Sequence, residues 1–319
     1  MTKSKLGLEV EEPQQKINSL KTFAYSEIST SSNEIIAEFK NKGFIAISKA
    51  PNFEKAYKNF IHVAREFTNL PSEVQSQCTP IDSYARGWSR GIEVFNKRKD
   101  TYKGSYYVNI PEIPSQPNIW PHHESILAFQ ECYMEVAEII HNVGEKILSL
   151  LLKNLQNTTC VARMLHYSAV PEGEDDGNPN WCGTHKDHGL FTGLGPEVYF
   201  PSTSNDNKTV DKPPNSGLYI LNNPITTPND DVILFQIGEA LELATDGRTT
   251  ATEHFVRKAY GGYERFTLAV FIQPKEDMIL SCKNKHVLEK YEDRYTSDMT
   301  YKVWNDRSLA RYNPDFDDS

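Results

Sequence analysis

His185 and Asp187 place an imidazole and a carboxylate two residues apart, and on a strand that spacing brings both side chains to one face, where they can chelate one metal ion. A lone H-x-D pair is a weak signal in a chain with nine histidines and reads equally well as a surface turn. His254, which closes the segment DGRTTATEH in a separate expected strand, supplies a third donor. Two imidazoles and one carboxylate with open positions suit an Fe(II) ion that must also bind a substrate and O2, with zinc hydrolysis as the competing use. Arg265 follows eleven positions later, with Thr267 on the same face of RFTLAVF. A guanidinium beside a hydroxyl makes a fork for a carboxylate, and the plainer alternative is an ion pair with one of the 43 acidic residues. His122, His123 and His166 have no partners at ligand spacing and read as structural, and His188 stands next to Asp187.

Composition narrows the setting. The 319 residues carry a net charge of −9, which disfavours contact with phosphate backbones and makes nucleic acid an improbable partner. Cys78, Cys132, Cys160, Cys182 and Cys282 form no C-x-x-C pair, as expected of a reduced, cytoplasmic protein. No apolar run approaches the ~20 residues of a membrane span, and the start of the chain is polar where a signal peptide is apolar. The expected partner is a small-molecule substrate, with the chain a monomer or weak homo-oligomer.

The elements that must position these residues divide the chain into four stretches. Residues 1–16 are polar without periodicity and read as a flexible arm. Residues 17–159 form an α/β scaffold. It opens with a helix capped by Asn33 and ended by Gly43, followed by the strand FIAIS. A second helix runs from Phe53 to Thr68, and a long third one from about Glu124 to Leu155. From 160 to 280 the pattern becomes VARMLHY, GLFTGLG, VYF, GLYIL, DVILFQIG, TEHFV and RFTLAVFIQ, short runs separated by turn residues. The expected class is therefore mainly β with flanking α: an antiparallel sandwich or jelly roll (double-stranded β-helix), with an N-terminal helical scaffold. Residues 202–216 read as a surface loop or hairpin tip, and 281–319 as a C-terminal helical extension.

Several motifs together resemble the isopenicillin N synthase-like group of Fe(II)/2-oxoglutarate-dependent oxygenases. EFKNKGFIAIS is similar to the group's helix-then-GF-strand opening, RGWSRGIE to its R-G-Y…E segment, and PNIWP to its N-x-W-P segment. VARMLHY resembles its R-x-x-x-Y strand and THKDHGLFTGL its H-x-D-x-G-x-x-T strand. GLYI, IGEALELATDGRTTATEHFV and RFT resemble G-L-x-x, G-x-x-L…T-x-G…T-x-H and R-x-S in the same order. The resemblance implies Fe(II) held by His185, Asp187 and His254, and 2-oxoglutarate held at its far carboxylate by Arg265 and Thr267, with Tyr167 as a further hydrogen-bond partner. The group commonly has Asn two residues before this Tyr, where Leu165 stands here. Related halogenases have Gly or Ala at the carboxylate ligand, so Asp187 argues against halogenation.

The implied activity is oxygenation of a small polar organic molecule by O2 with release of succinate and CO2. Hydroxylation is the default, with desaturation or ring closure as variants. The group's pocket walls map onto Tyr84, Arg86, Trp88, Arg90, Glu93, Tyr106, Phe191, Phe271 and Gln273. Two other readings stay open: an iron oxidase of the same fold that uses no 2-oxo acid, and a catalytically silent binding or sensor protein, whose hallmark would be a broken triad or a missing fork.

Overall fold

A computed structural model describes residues 20–311 except 81–85, 93, 96, 97, 100, 154, 156, 172, 176, 204–207, 228 and 229. The expected arm and the positions of Tyr84 and Glu93 lie outside the described residues.

Strand alternation decides which side chains reach the site. In chain order the strands of three or more residues are β1 (Thr22–Ala24), β2 (Phe44–Ser48), β3 (Gly87–Arg90), β4 (Lys103–Ile110), β5 (Thr159–Tyr167), β6 (Asn180–His185), β7 (Phe191–Leu194), β8 (Val198–Pro201), β9 (Gly217–Ile220), β10 (Ile233–Ile237), β11 (His254–Arg257) and β12 (Tyr263–Gln273). The larger sheet has the order β1-β2-β10-β7-β12-β5-β4-β3, and β8 joins it on β12. All its pairings are antiparallel except β1 with β2. The smaller sheet runs Asn223–Pro224, β9, β11, β6.

Along β12, Phe266, Leu268, Val270 and Ile272 enter the larger apolar core, while Arg265, Thr267, Ala269 and Phe271 line a cavity on the other face. β5 repeats the pattern, with Cys160, Ala162 and Met164 in the core and Arg163, Leu165 and Tyr167 at the cavity. That core is completed by three helices, α1 (Ser32–Lys42), α2 (Phe53–Thr68) and α3 (Phe129–Leu151), which contribute Phe39, Phe60, Phe67, Tyr133 and Ile140 among others. Each such large side chain contributes about 1.5–3 kcal/mol by leaving water.

α1 begins after Ser31, two residues before the expected Asn33 cap. It ends as expected at Gly43, whose φ of 79° and close approach to Thr252 Oγ1 (2.7 Å from where a Cβ would sit) admit no side chain. α2 has the expected bounds. α3 is shorter than expected, because Glu124–Ile126 forms a separate 3-10 turn with His123 as its cap. A short helix not foreseen, α4 (Glu239–Ala244), ties the C-terminal region down. Arg294 pairs with Glu239 at 2.9 Å, Tyr291 donates to Glu242, and both lie among the C-terminal helices α5 (Lys285–Lys290) and α6 (Tyr301–Ala310). Among the described residues no helix is long and apolar enough to cross a membrane.

Candidate metal centre

β6 and β11 pair antiparallel with His185 directly opposite His254. β6 ends at His185, so Asp187 lies just past the strand in a turn held by backbone bonds from Glu239 N to Asp187 O and from Ala240 N to Gly189 O. The carboxylate still reaches the same point. Asp187 Oδ1 lies 3.7 Å from His185 Nε2 and 3.8 Å from His254 Nε2, and the two rings are 4.2 Å apart. The three donor atoms lie within 4.8 Å of one another.

The hydrogen bonds behind the triad fix its chemistry. His185 Nδ1 sits 2.8 Å from the Gly183 carbonyl and His254 Nδ1 3.1 Å from that of Thr252. A carbonyl only accepts, so each Nδ1 carries a proton and each Nε2 presents its lone pair, that of His254 also lying 3.2 Å from the Gln236 side-chain amide nitrogen. Asp187 Oδ2 accepts from Thr192 Oγ1 at 2.6 Å and Gln236 Nε2 at 2.7 Å, which leaves Oδ1 as the third donor. Burial pushes the Asp187 pKa up, but the two histidines and these two hydrogen bonds outweigh it and hold the carboxyl below its usual range. Burial lowers both imidazoles. For His185 it is outweighed by Cys182, Asp187 and Gly183, which raise the pKa to about 9. For His254 burial and the neighbouring His185 bring it down to about 4.

The triad opens on a cavity of about 680 Å3 lined from both sheets. Leu165, Ala269, Phe271 and Cys182 lie on its walls, with Lys103 and Arg163 also lining it. Arg265 and Thr267 line it too, but each already has a partner within the chain. Arg265 donates Nε and Nη2 to Glu197 Oε1 at 3.2 and 2.8 Å, while its Nη1 is buried with no partner. Burial would lower the pKa of Arg265, yet Glu197 holds it above the usual value. Burial would raise that of Glu197, yet Arg265 and Lys212 hold it below. Thr267 donates its one hydroxyl proton to the Gly195 carbonyl at 2.9 Å. Tyr167 stacks on Trp181 and lies under the Arg265 guanidinium, 5.0 Å from ring centre to Cζ.

Of the expected pocket walls, Phe271 lines this cavity. Trp88, Tyr106 and Phe191 instead belong to the helix-side core: the pleat turns them away, toward Phe67, Phe129 and Phe235. Arg86 donates to the Pro117 carbonyl, Arg90 to Ser168, and Gln273 ends β12 away from the cavity. His188 does not join the triad, and its Nε2 lies 3.0 Å from Asn305 on α6. Sequence reasoning missed Glu197, Lys212, Gln236 and the part played by Thr192. Gln236 was detectable as the one polar residue inside ILFQI, and Thr192 as the Thr of THKDHGLFT. Glu197 gives no local signal.

No protein-family profile matches the chain. The 2-oxoglutarate-Fe(II) type oxidoreductase hxnY of Emericella nidulans is 23% identical over 250 residues, 69% of this chain and 67% of that protein. A full-length Neurospora crassa protein, solved in complex with alpha-KG, superimposes with a TM-score of 0.69 at 17% identity, covering 92% of this chain and 96% of that one. A 2OG-Fe(II) oxygenase family protein from Caulobacter crescentus gives 0.67 at 21% identity, covering 92% and 99%. The chain as a whole takes the fold of these solved oxygenases, the superfamily that its motifs resemble.

Proposed function

We propose that the chain is a non-haem Fe(II)- and 2-oxoglutarate-dependent dioxygenase. It oxidises a small polar organic molecule, by hydroxylation unless the substrate diverts the reaction to desaturation or ring closure, and releases succinate and CO2. The observation that carries this reading is the triad: two Nε2 lone pairs fixed by Nδ1–H bonds to backbone carbonyls, facing one free carboxylate oxygen. That donor set suits Fe(II), and because three protein ligands leave coordination positions open, it suits an ion that must meet co-substrate and O2. Bound there, iron with 2-oxoglutarate would supply O2 activation. The chain's own work is to orient and to exclude water. Thr192 and Gln236 hold Asp187, Arg265 presents an unpartnered buried Nη1 to a carboxylate guest, and Leu165, Ala269 and Phe271 give the guest an apolar wall.

The reading carries with it a jelly-roll core over 160–280, a scaffold over 17–159, a C-terminal extension over 281–319, and a cytoplasmic monomer or weak homo-oligomer. The ion pair between Arg265 and Glu197 favours a second reading, an iron oxidase of the same fold that takes no 2-oxo acid. The test is to load the chain with Fe(II) without oxygen, titrate 2-oxoglutarate, then admit O2 and measure succinate. Succinate formation that disappears in His254→Ala supports the dioxygenase. Iron binding without any response to 2-oxoglutarate moves the assignment to the oxidase.

A further inference from the structure

The guanidinium edge that would clamp a guest carboxylate is already clamped by a carboxylate of the chain. Glu197 Oε1 accepts from Arg265 Nε and Nη2 and from the Leu218 backbone N–H. Glu197 Oε2 accepts from Lys212 Nζ at 2.8 Å and lies 3.3 Å from the Tyr199 hydroxyl. Gly217 makes room for it, since a Cβ there would lie 2.3 Å from Oε2. Arg265 and Lys212 keep Glu197 ionised, so the cluster carries two positive charges and one negative, a net +1. Of the other charged groups lining the cavity, Lys58, His62, Asp211 and Asp230 are exposed and screened by solvent, while the buried Lys103 stands across Tyr167 from Arg265 in the strand register and Arg163 lies further along β5. What remains for a guest is Arg265 Nη1, buried and unpartnered.

We propose that Glu197 sets which 2-oxo acid the cavity accepts. By occupying the Nε/Nη2 edge of Arg265 it restricts a distal carboxylate to Nη1 and repels it at close range, which lowers the preference for a dianionic 2-oxo acid over one with an uncharged tail. A bidentate guanidinium–carboxylate pair is the strong form of this interaction, and a single bond beside a like charge is a weak one. The inference rests on the reading that the cavity takes a 2-oxo acid at the metal.

The experiment is anaerobic titration of the Fe(II)-loaded full chain with 2-oxoglutarate and, separately, with 2-oxopentanoate, which has no distal carboxylate. It is run on wild type, Glu197→Gln and Lys212→Met. Glu197→Gln keeps the size of the side chain and removes its charge, so 2-oxoglutarate should bind at least about tenfold more tightly while 2-oxopentanoate stays within about threefold. Lys212→Met takes the cluster from +1 to zero and should weaken 2-oxoglutarate several-fold without moving 2-oxopentanoate. It decides the matter if Glu197→Gln does not fold. A Glu197 that merely props Arg265 in place would change the two ligands in parallel, and that result, or no change in either variant, overturns the role of Glu197 alone. Absence of binding of both acids to wild type and Glu197→Gln, with iron still bound, overturns the co-substrate reading along with it.

Discussion

His254 is the register partner of His185, and their Nε2 atoms stand 3.8 and 3.7 Å from the same oxygen of Asp187. The site is thus built by strand pairing and backbone acceptors. His185→Ala, Asp187→Ala and His254→Ala should each abolish Fe(II) binding while leaving the far-ultraviolet circular dichroism spectrum unchanged. Iron bound as tightly as in wild type by two of the three would refute the ligand assignment.

Gln236 and Thr192 hold Asp187, and through it they should act on the proposed metal. Gln236→Leu or Thr192→Val frees Oδ2 to rotate toward the site and removes a donor that stabilises the ionised carboxylate. Losses of about 10–100-fold in Fe(II) affinity are expected for each. Competition with a chelator measures it, and an affinity within twofold of wild type in both variants would show that Asp187 needs no such support.

Metal binding should release protons. With His185 raised to about 9 and His254 lowered to about 4, the metal-free pair carries near pH 7 one proton beyond its two Nδ1–H, on His185 Nε2. Iron must displace it. Fe(II) affinity should therefore rise about tenfold per pH unit between pH 6 and 8 and level off above about 9. Calorimetry in two buffers of different ionisation enthalpy reads the proton count directly, and zero protons released at pH 7 would contradict the assignment.

How much of this was legible in the sequence follows from the range of the interactions. That His185, Asp187 and His254 could meet, and that Arg265 and Thr267 share one face, was readable because H-x-D and R-x-T are local spacings in stretches whose apolar alternation is plain, as in β12. Helix ends were readable where one residue decides them, as Gly43 does. The pocket walls were not. Tyr106 and Phe191 differ from Arg163 and Leu165 only in which pleat face they occupy, and that depends on register with strands far along the chain. Glu197 and Arg265 are 68 residues apart, and no local pattern pairs one acid among 43 with one particular arginine. α4 was hidden because EALELA is too short for periodicity to separate it from a loop or a strand.

The last prediction concerns the stability of that pair. Arg265 and Glu197 are both buried, with side chains 4% and 14% exposed, so removing one partner leaves the other charge in a poor solvent. Arg265→Ala should cost ~3–5 kcal/mol at pH 7, by the usual range for breaking a buried pair, with Lys212 offsetting part of it. Glu197 has its folded pKa depressed below the usual 4.5, chiefly by Arg265 against the opposing effect of burial. Its contribution is therefore fully present above about pH 4.5 and is lost as pH falls through the folded value. The deficit of Arg265→Ala should accordingly shrink in acid, where protonation relieves the orphaned carboxylate. Arg265→Ala combined with Glu197→Gln should recover much of the loss at pH 7, because no buried charge is then left facing Arg265's place. Urea unfolding of wild type, both single variants and the double variant at pH 7 and pH 4 closes the cycle. Single-variant losses that simply add in the double variant would show that the two residues are energetically independent, whatever their 2.8 Å contact suggests.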